Sequence, residues 1–117
     1  MPGVQTLVPV MLTHVAEGRL SMARFLDLTS AGPARIFNIA QKGRIALGYD
    51  ADLTLVDLSA RRTIKASEQA TKVGWTPFDG FEAKAWPMAT ILRGRIIMRD
   101  GALTPAEGQP IRFLETL

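Results

Sequence analysis

The sequence of 117 residues contains no cysteine and only one histidine. Without cysteine there is no disulfide framework, no thiolate metal ligand and no cysteine nucleophile, so a reducing compartment, the cytoplasm, is the expected location. The lone His14 lies in an apolar stretch, where a hydrogen-bonded, partly buried histidine is the expected role. A zinc site would then depend almost entirely on carboxylates, which suit zinc badly, and we predict no metal ligand in this chain.

Motifs for other chemistries are also missing. No G-x-S-x-G surrounds a serine, and neither a G-x-G-x-x-G nor a Walker sequence is present, so a serine nucleophile and nucleotide binding have no support. Asp50, Asp52 and Asp57 could form a cation site or an acid–base cluster, but roles in turns and at strand edges account for them more simply. We therefore predict no catalytic residue here.

The net charge is small as well. Fourteen Lys and Arg against eleven Asp and Glu leave a net charge of +3, spread along the chain. The tightest basic cluster, Arg61, Arg62 and Lys65, has no interleaved aromatic residues, so it indicates a solvated face and not a nucleic-acid site. The apolar N-terminal stretch contains Pro9 and lacks a basic start, which predicts neither a signal peptide nor a membrane span.

The first third of the chain is predicted to be helical. Apolar residues cover most of a helical wheel over Leu7–Val15, with Thr6 as the N-cap and Gly18 at the end. Ser21 caps a second helix that ends between residues 30 and 32. Pro33 opens a third, over residues 34–39, which is expected to direct three apolar side chains to a core, namely Ile36, Phe37 and Ile39.

After Lys42 the pattern changes to strands and turns. Leu53–Leu58 is a near-continuous apolar strand, and residues 90–93 and 95–99 flank Gly94 as a hairpin. Asp100-Gly101 marks the next tight turn. With 47% hydrophobic and 21% charged residues, the composition predicts a globular chain with a core.

Two stretches lack a regular pattern. Residues 67–86 are predicted to form a long irregular connection that carries four aromatic residues and packs onto a neighbour. Residues 107–117 are predicted to be a poorly anchored, irregular arm.

Five strings carry a resemblance to a known family. They are MPGVQTLVPVML, GRLSMARFLDLTSAGPARIFNI, KGRIALGYDADLTLVD, PFDGF and ATILRGRIIMRDG. Their order and spacing resemble the C-terminal part of dihydroorotases, members of the cyclic amidohydrolase (metal-dependent hydrolase) superfamily. Individually, the G-x-x-A-D-L of residues 48–53 and the hairpin at Gly94 occur throughout that superfamily.

The resemblance implies an α+β fragment. Residues 1–41 would be the last helical part of a (β/α)₈ barrel, which needs about 250 residues when complete. Residues 42–117 would supply the C-terminal strands of a small composite β-sandwich. In the family a binuclear zinc centre opens dihydroorotate to carbamoyl aspartate in pyrimidine biosynthesis. Its ligands would lie upstream of Met1, so this chain is expected to be non-catalytic and inactive alone.

The resemblance also places one segment near the substrate. Met1–Thr6 resembles the end of the loop after the eighth barrel strand, which makes Pro2 and Gly3 the flank of the substrate loop. The alternative is a loop turn that merely leads into the first helix. One departure is Gly32, where relatives often carry asparagine, and glycine is an acceptable N-cap.

Several alternatives stay open. Dihydropyrimidinases and allantoinases share the architecture that the resemblance implies. A second hypothesis is a stand-alone structural or assembly module. The partner would be the remainder of the barrel, or a second copy bound through exposed apolar helix faces and strand edges. Neither nucleic acid nor a membrane is expected as a partner.

Overall fold

A computed structural model describes residues 1–115 and shows an α+β chain with helices first and strands later. The chain forms two compact units, one from Met1–Ser21 and Val56–Pro87, the other from Met22–Leu55 and Met88–Leu117. The division into residues 1–41 and 42–117 refers to places in a larger barrel and sandwich, and it stays a prediction.

The first unit is built on helix α1, Leu7–Ala16, which confirms the predicted helix. Gly18 follows it with a φ of 74°, a left-handed conformation that suits glycine after a helix. Thr6 is the N-cap residue, as predicted, but its hydroxyl donates to the Gly3 carbonyl at 3.3 Å and caps no helix N–H. Helix α1 buries four residues, Pro9, Val10, Leu12 and Thr13.

A short ribbon completes the first unit. Strands β2, Arg62–Thr63, and β3, Glu82–Ala83, pair antiparallel, and α1 packs on β3. Ile64, which is 1% exposed, follows β2 and accepts a 2.8 Å hydrogen bond from the Gly80 N–H. Between β2 and β3 the chain forms one 3₁₀ turn, Ala66–Glu68, and is otherwise irregular, as predicted. The end of the predicted irregular connection, residues 67–86, is wrong, because residues 82–83 and residue 86 belong to strands.

The second unit begins with one continuous helical path. Helix α2, Met22–Leu26, continues through a π-helical turn, Asp27–Ala31, into α3, Gly32–Ile36. The predicted separation into two helices at Pro33 is therefore wrong. Proline lacks an N–H and its ring crowds the preceding turn, and the wider π turn accommodates both effects.

Gly32 belongs inside this path and is not an N-cap. Its N–H donates to the Asp27 carbonyl, five residues earlier. A Cβ at Gly32 would lie 2.4 Å from that same oxygen. Glycine is needed here because the backbone at position 32 approaches the Asp27 carbonyl so closely. The interpretation of Gly32 as an N-cap was wrong.

The end of the helical path differs from the prediction. Ile36 is 70% and Phe37 63% exposed in the described chain, so neither enters a core as predicted. Ile39 instead forms a bridge with Phe113, and the Ala40 N–H donates to the Arg112 carbonyl at 2.8 Å. The predicted poorly anchored arm is thus held at residues 112–114, while residues 116–117 lie outside the described part.

The strands of the second half form a four-stranded sheet in the order β1-β4-β5-β6. These strands are Leu53–Asp57, Trp86–Leu92, Arg95–Arg99 and Ala102–Leu103. Arg93 and Gly94 have φ values of 49° and 80°, typical of the tight turn that matches strand twist. Asp100 and Gly101 repeat this pattern with 49° and 81°. Both predicted turns and the predicted β1 strand are confirmed.

Candidate functional site

The predicted substrate-loop flank lies immediately before α1. Pro2 and Gly3 are half-buried, and the chain then turns into the helix. The Gly3 carbonyl accepts a 3.0 Å hydrogen bond from the Leu7 N–H and a 3.3 Å bond from the Thr6 hydroxyl. Thr6 is itself buried. The backbone at Gly3 is therefore held in a defined conformation by its own local hydrogen bonds.

Gln5 connects this loop to a distant part of the same unit. Its Oε1 accepts a 2.8 Å hydrogen bond from the Ala70 N–H, and its Nε2 donates to the Glu68 carbonyl at 3.3 Å. Both ends of the side-chain amide thus bind the backbone of one segment. The sequence offered no signal for this contact, because the partners lie 63 and 65 residues away.

Two of the three aspartates considered for a cation site or an acid–base cluster, Asp50 and Asp52, are engaged in ion pairs. Lys42 Nζ donates to Asp52 Oδ2 and lies 2.9 Å from Asp50 Oδ2. Arg93 Nε lies 3.4 Å from Asp50, and the Arg93 backbone N–H donates to Asp52 Oδ1 at 2.8 Å. Two carboxylates face two cations, so this ion cluster joins the segment before β1 to the β4–β5 turn.

The electrostatics of the cluster follow from these contacts. Burial alone would raise the pKa of Asp52, but hydrogen bonds from Lys42 and the Arg93 N–H outweigh it and lower the pKa. Burial alone would lower the pKa of Lys42, but hydrogen bonds to Asp52 and Asp50 raise it. The charged forms of Lys42 and Asp52 are thus favoured together, which suits a structural ion cluster and not an acid–base catalyst.

Asp57 has a local role. Its Oδ1 accepts hydrogen bonds from the Ser59 hydroxyl at 2.7 Å and from the Ser59 N–H at 2.8 Å. These two bonds hold the pKa of Asp57 below its ordinary value. The turn role expected from the sequence is confirmed.

A small cleft of about 220 Å³ lies beside β2 and β3 in the first unit. It is lined by Arg61, Arg62, Thr63, Glu82, Ala83 and Lys84. Its cations already have partners in that unit.

Arg61 donates to the Ala60 and Lys84 carbonyls, at 2.8 and 3.0 Å. Arg62 lies 4.4 Å from the centre of the Trp86 ring, and Lys84 Nζ lies 3.0 Å from Glu17. The Lys84 contact lowers the pKa of Glu17. Arg61, Arg62 and Lys65 are all exposed, in agreement with the solvated face expected for this cluster.

His14 is half-buried on α1, with its Nδ1 3.3 Å from Arg19 Nη1. Over residues 1–115, no three of the His, Asp and Glu side chains come together in a way that could hold a metal ion. The residues present therefore do not fit a zinc centre. In the same described range, no helix is long and apolar enough to cross a bilayer.

Comparison with known proteins defines the class. The Amidohydrolase family profile matches residues 4–97, so the chain belongs to the amidohydrolase family. Within it the chain is similar to dihydroorotases. It is 40% identical to that of Methanothermobacter thermautotrophicus over 95% of this chain, and 43% identical to that of Pyrococcus abyssi over 86%. The predicted family resemblance is confirmed.

The chain is much shorter than these relatives. It spans 26% of the Methanothermobacter thermautotrophicus protein, 25% of the Methanosarcina mazei dihydroorotase and 24% of the Pyrococcus abyssi protein. Solved structures show the same relation. An L-hydantoinase (dihydropyrimidinase) from Arthrobacter aurescens matches with a TM-score of 0.84 and 34% identity, over 88% of this chain and 23% of its own.

A second structure agrees. A D-hydantoinase (dihydropyrimidinase) from a Thermus species gives a TM-score of 0.85 at 34% identity, over 91% of this chain and 24% of its own. The fold of this chain is therefore that of a segment of larger amidohydrolase-family proteins.

Proposed function

We propose that this chain is the C-terminal, non-catalytic portion of a zinc-dependent, dihydroorotase-like hydrolase. The parent reaction would be the reversible hydrolysis of dihydroorotate to carbamoyl aspartate, in which water adds across a ring amide bond. One observation carries the proposal. Similarity to dihydroorotases covers 95% of this chain but 26% of the longer relative. The proposed location is the cytoplasm, which a sequence without cysteine permits.

In this proposal the chain supplies structure. Helix α1 would be the last helix of the barrel, and the strands of the four-stranded sheet would be the C-terminal share of a composite sandwich. Zinc would polarise the ring carbonyl and supply the attacking hydroxide when bound. Because the described residues 1–115 do not fit such a centre, its ligands would come from the rest of the longer protein, and no proton or bond transfer is assigned to this chain.

Pro2 and Gly3 are proposed to flank the substrate. The support is that both residues are half-buried, in a loop that is held by hydrogen bonds at the Gly3 carbonyl and at the Gln5 side chain. Their role would be to shape the site through the backbone. Neither residue has a side chain that could transfer a proton.

The remainder of the longer chain is the proposed partner. Four large apolar side chains of the second unit are strongly exposed in this chain, namely Ile36, Phe37, Ile45 and Leu47. Large exposed apolar groups of this kind mark surfaces that another part of a protein covers. Self-association of this chain is the competing outcome. Light scattering distinguishes the two outcomes by the mass of each sample. If the rest of the longer protein covers these side chains, this chain alone should self-associate and the longer protein should not.

An exchange experiment tests the structural role. The 111-residue matching segment of the Methanothermobacter thermautotrophicus dihydroorotase would be replaced by the corresponding part of this chain. We expect the resulting chimera to bind zinc and hydrolyse dihydroorotate, while the same enzyme without the segment does neither. A folded, zinc-loaded chimera without dihydroorotate hydrolysis would contradict the proposal.

The substrate class needs a separate measurement. Two of the solved structures similar to this chain are of dihydropyrimidinases (hydantoinases), so a cyclic ureide without the ring carboxylate of dihydroorotate is the alternative substrate. The gene upstream of Met1 would be sequenced, and any continuous frame expressed whole and assayed with dihydroorotate, dihydrouracil, hydantoin and allantoin. Hydrolysis of dihydroorotate supports the first assignment. Hydrolysis of dihydrouracil, hydantoin or allantoin without hydrolysis of dihydroorotate would contradict the first assignment and support the alternative substrate.

A further inference from the structure

The loop Met1–Thr6 is held by two kinds of contact. The local one is the pair of hydrogen bonds to the Gly3 carbonyl, from Leu7 and Thr6. The distant one is the Gln5 side chain, which accepts from the Ala70 N–H and donates to the Glu68 carbonyl. Because a side-chain amide has one acceptor end and one donor end, these two partners select a single orientation of Gln5.

We propose that Gln5 is a positioning residue for the hydrolytic reaction. It would hold Pro2 and Gly3 beside the substrate by tying their loop to residues 68–70. This inference rests on the proposed function, since it requires the loop to flank a substrate. Gln5 does not touch the reacting atoms and acts through the backbone two residues away.

The contacts of Gln5 should matter more for the position of the loop than for the stability of the fold. Gln5 is exposed, so its hydrogen bonds compete with water and add little to the global free energy of folding. Loop position is far more sensitive, since a displacement of about 1 Å can lower a rate about 100-fold. Loss of Gln5 is therefore expected to change kinetics much more than folding.

The chain offers a matched control. Gln69 lies in the segment that Gln5 contacts, but its Nε2 donates locally to the Lys65 carbonyl at 3.2 Å. Gln69→Leu removes the same chemical group as Gln5→Leu and leaves the tie to the loop intact. Both substitutions would be made in the dihydroorotase chimera described above.

We expect Gln5→Leu to lower kcat/KM about tenfold, chiefly by raising KM, with zinc content and Tm close to those of the parent chimera. Gln69→Leu should leave KM unchanged. Gln5→Glu keeps an acceptor for the Ala70 N–H and loses the donor, so its KM should be intermediate. If Gln5→Leu fails to fold, the KM of Gln5→Glu tests the proposal instead.

Three outcomes would overturn the inference. An unchanged KM in the Gln5 variants would do so, as would an equal rise in KM in Gln69→Leu. Loss of activity through a smaller zinc-loaded fraction at constant KM would show a merely structural role. Failure of the proposed function is recognised separately, because the parent chimera is then inactive before Gln5 is changed.

Discussion

The backbone N–H of Lys84 donates a 2.9 Å hydrogen bond to the hydroxyl of Thr13, a residue 71 positions earlier. That hydroxyl in turn donates to the Pro9 carbonyl at 2.7 Å. Thr13 is 2% exposed, so one side-chain oxygen satisfies two backbone groups away from water. This arrangement fixes helix α1 on the residues that follow β3.

Removal of this hydroxyl should destabilise the chain. In Thr13→Val the Lys84 N–H loses its acceptor while the side-chain volume is nearly kept. We expect a loss of about 1–3 kcal/mol in the free energy of unfolding, measured with urea. Thr13→Ser keeps the hydroxyl and should retain most of the hydrogen-bond contribution, and the exposed Thr54→Val should change stability by less than about 0.5 kcal/mol. Equal stabilities for Thr13→Val and Thr54→Val would contradict the assignment.

Gly32 is expected to tolerate no side chain. Gly32→Ala places a Cβ 2.4 Å from the Asp27 carbonyl oxygen, so the π turn must shift. The expected loss is about 1–3 kcal/mol in the free energy of unfolding. Gly108→Ala is the matched control, because a Cβ there meets nothing within 4 Å. If both substitutions leave the unfolding midpoint unchanged, the close approach at Gly32 is wrong.

The ion cluster should make stability depend on pH in acid. The folded-state pKa of Asp52 lies below its ordinary 3.8, so the unfolded chain protonates Asp52 at a higher pH than the folded chain does. The stabilisation of the folded state by the Asp52 carboxylate is complete well above pH 3.8 and is lost as the pH falls through the folded-state pKa.

Asp52→Asn therefore should be less stable than the parent at about pH 7, and the difference should shrink at about pH 3. Asp100→Asn, in the exposed β5–β6 turn, is the control, and its difference from the parent in the free energy of unfolding should not shrink in this way. The free energy of unfolding of the three proteins at both pH values is the measurement. A difference between Asp52→Asn and the parent that is constant with pH would contradict the ion-pair account.

Local rules predicted the elements that depend on local chemistry. The apolar pattern and Gly18 defined α1, and the pairs Arg93-Gly94 and Asp100-Gly101 defined the two turns. The family resemblance rested on ordered motifs, and profile and sequence similarity confirmed it.

The misses depended on backbone contacts that the sequence patterns did not show. Pro33 was expected to start a new helix, but the π turn accommodates it, because glycine at position 32 lets its backbone approach the Asp27 carbonyl five residues earlier. The C-terminal arm was expected to be loose, but Arg112 pairs with Ala40. Gln5 had no motif at all. No local pattern encodes hydrogen bonds to backbone groups more than sixty residues away.

We propose that this chain is a structural part of a cyclic-amide hydrolase whose metal chemistry belongs to residues outside it. The most direct test is to incubate the purified chain of 117 residues with zinc, remove the excess, and measure both bound zinc and dihydroorotate turnover. We expect no stoichiometric zinc and no turnover. A tightly bound pair of zinc ions, or hydrolysis of dihydroorotate by this chain alone, would contradict it.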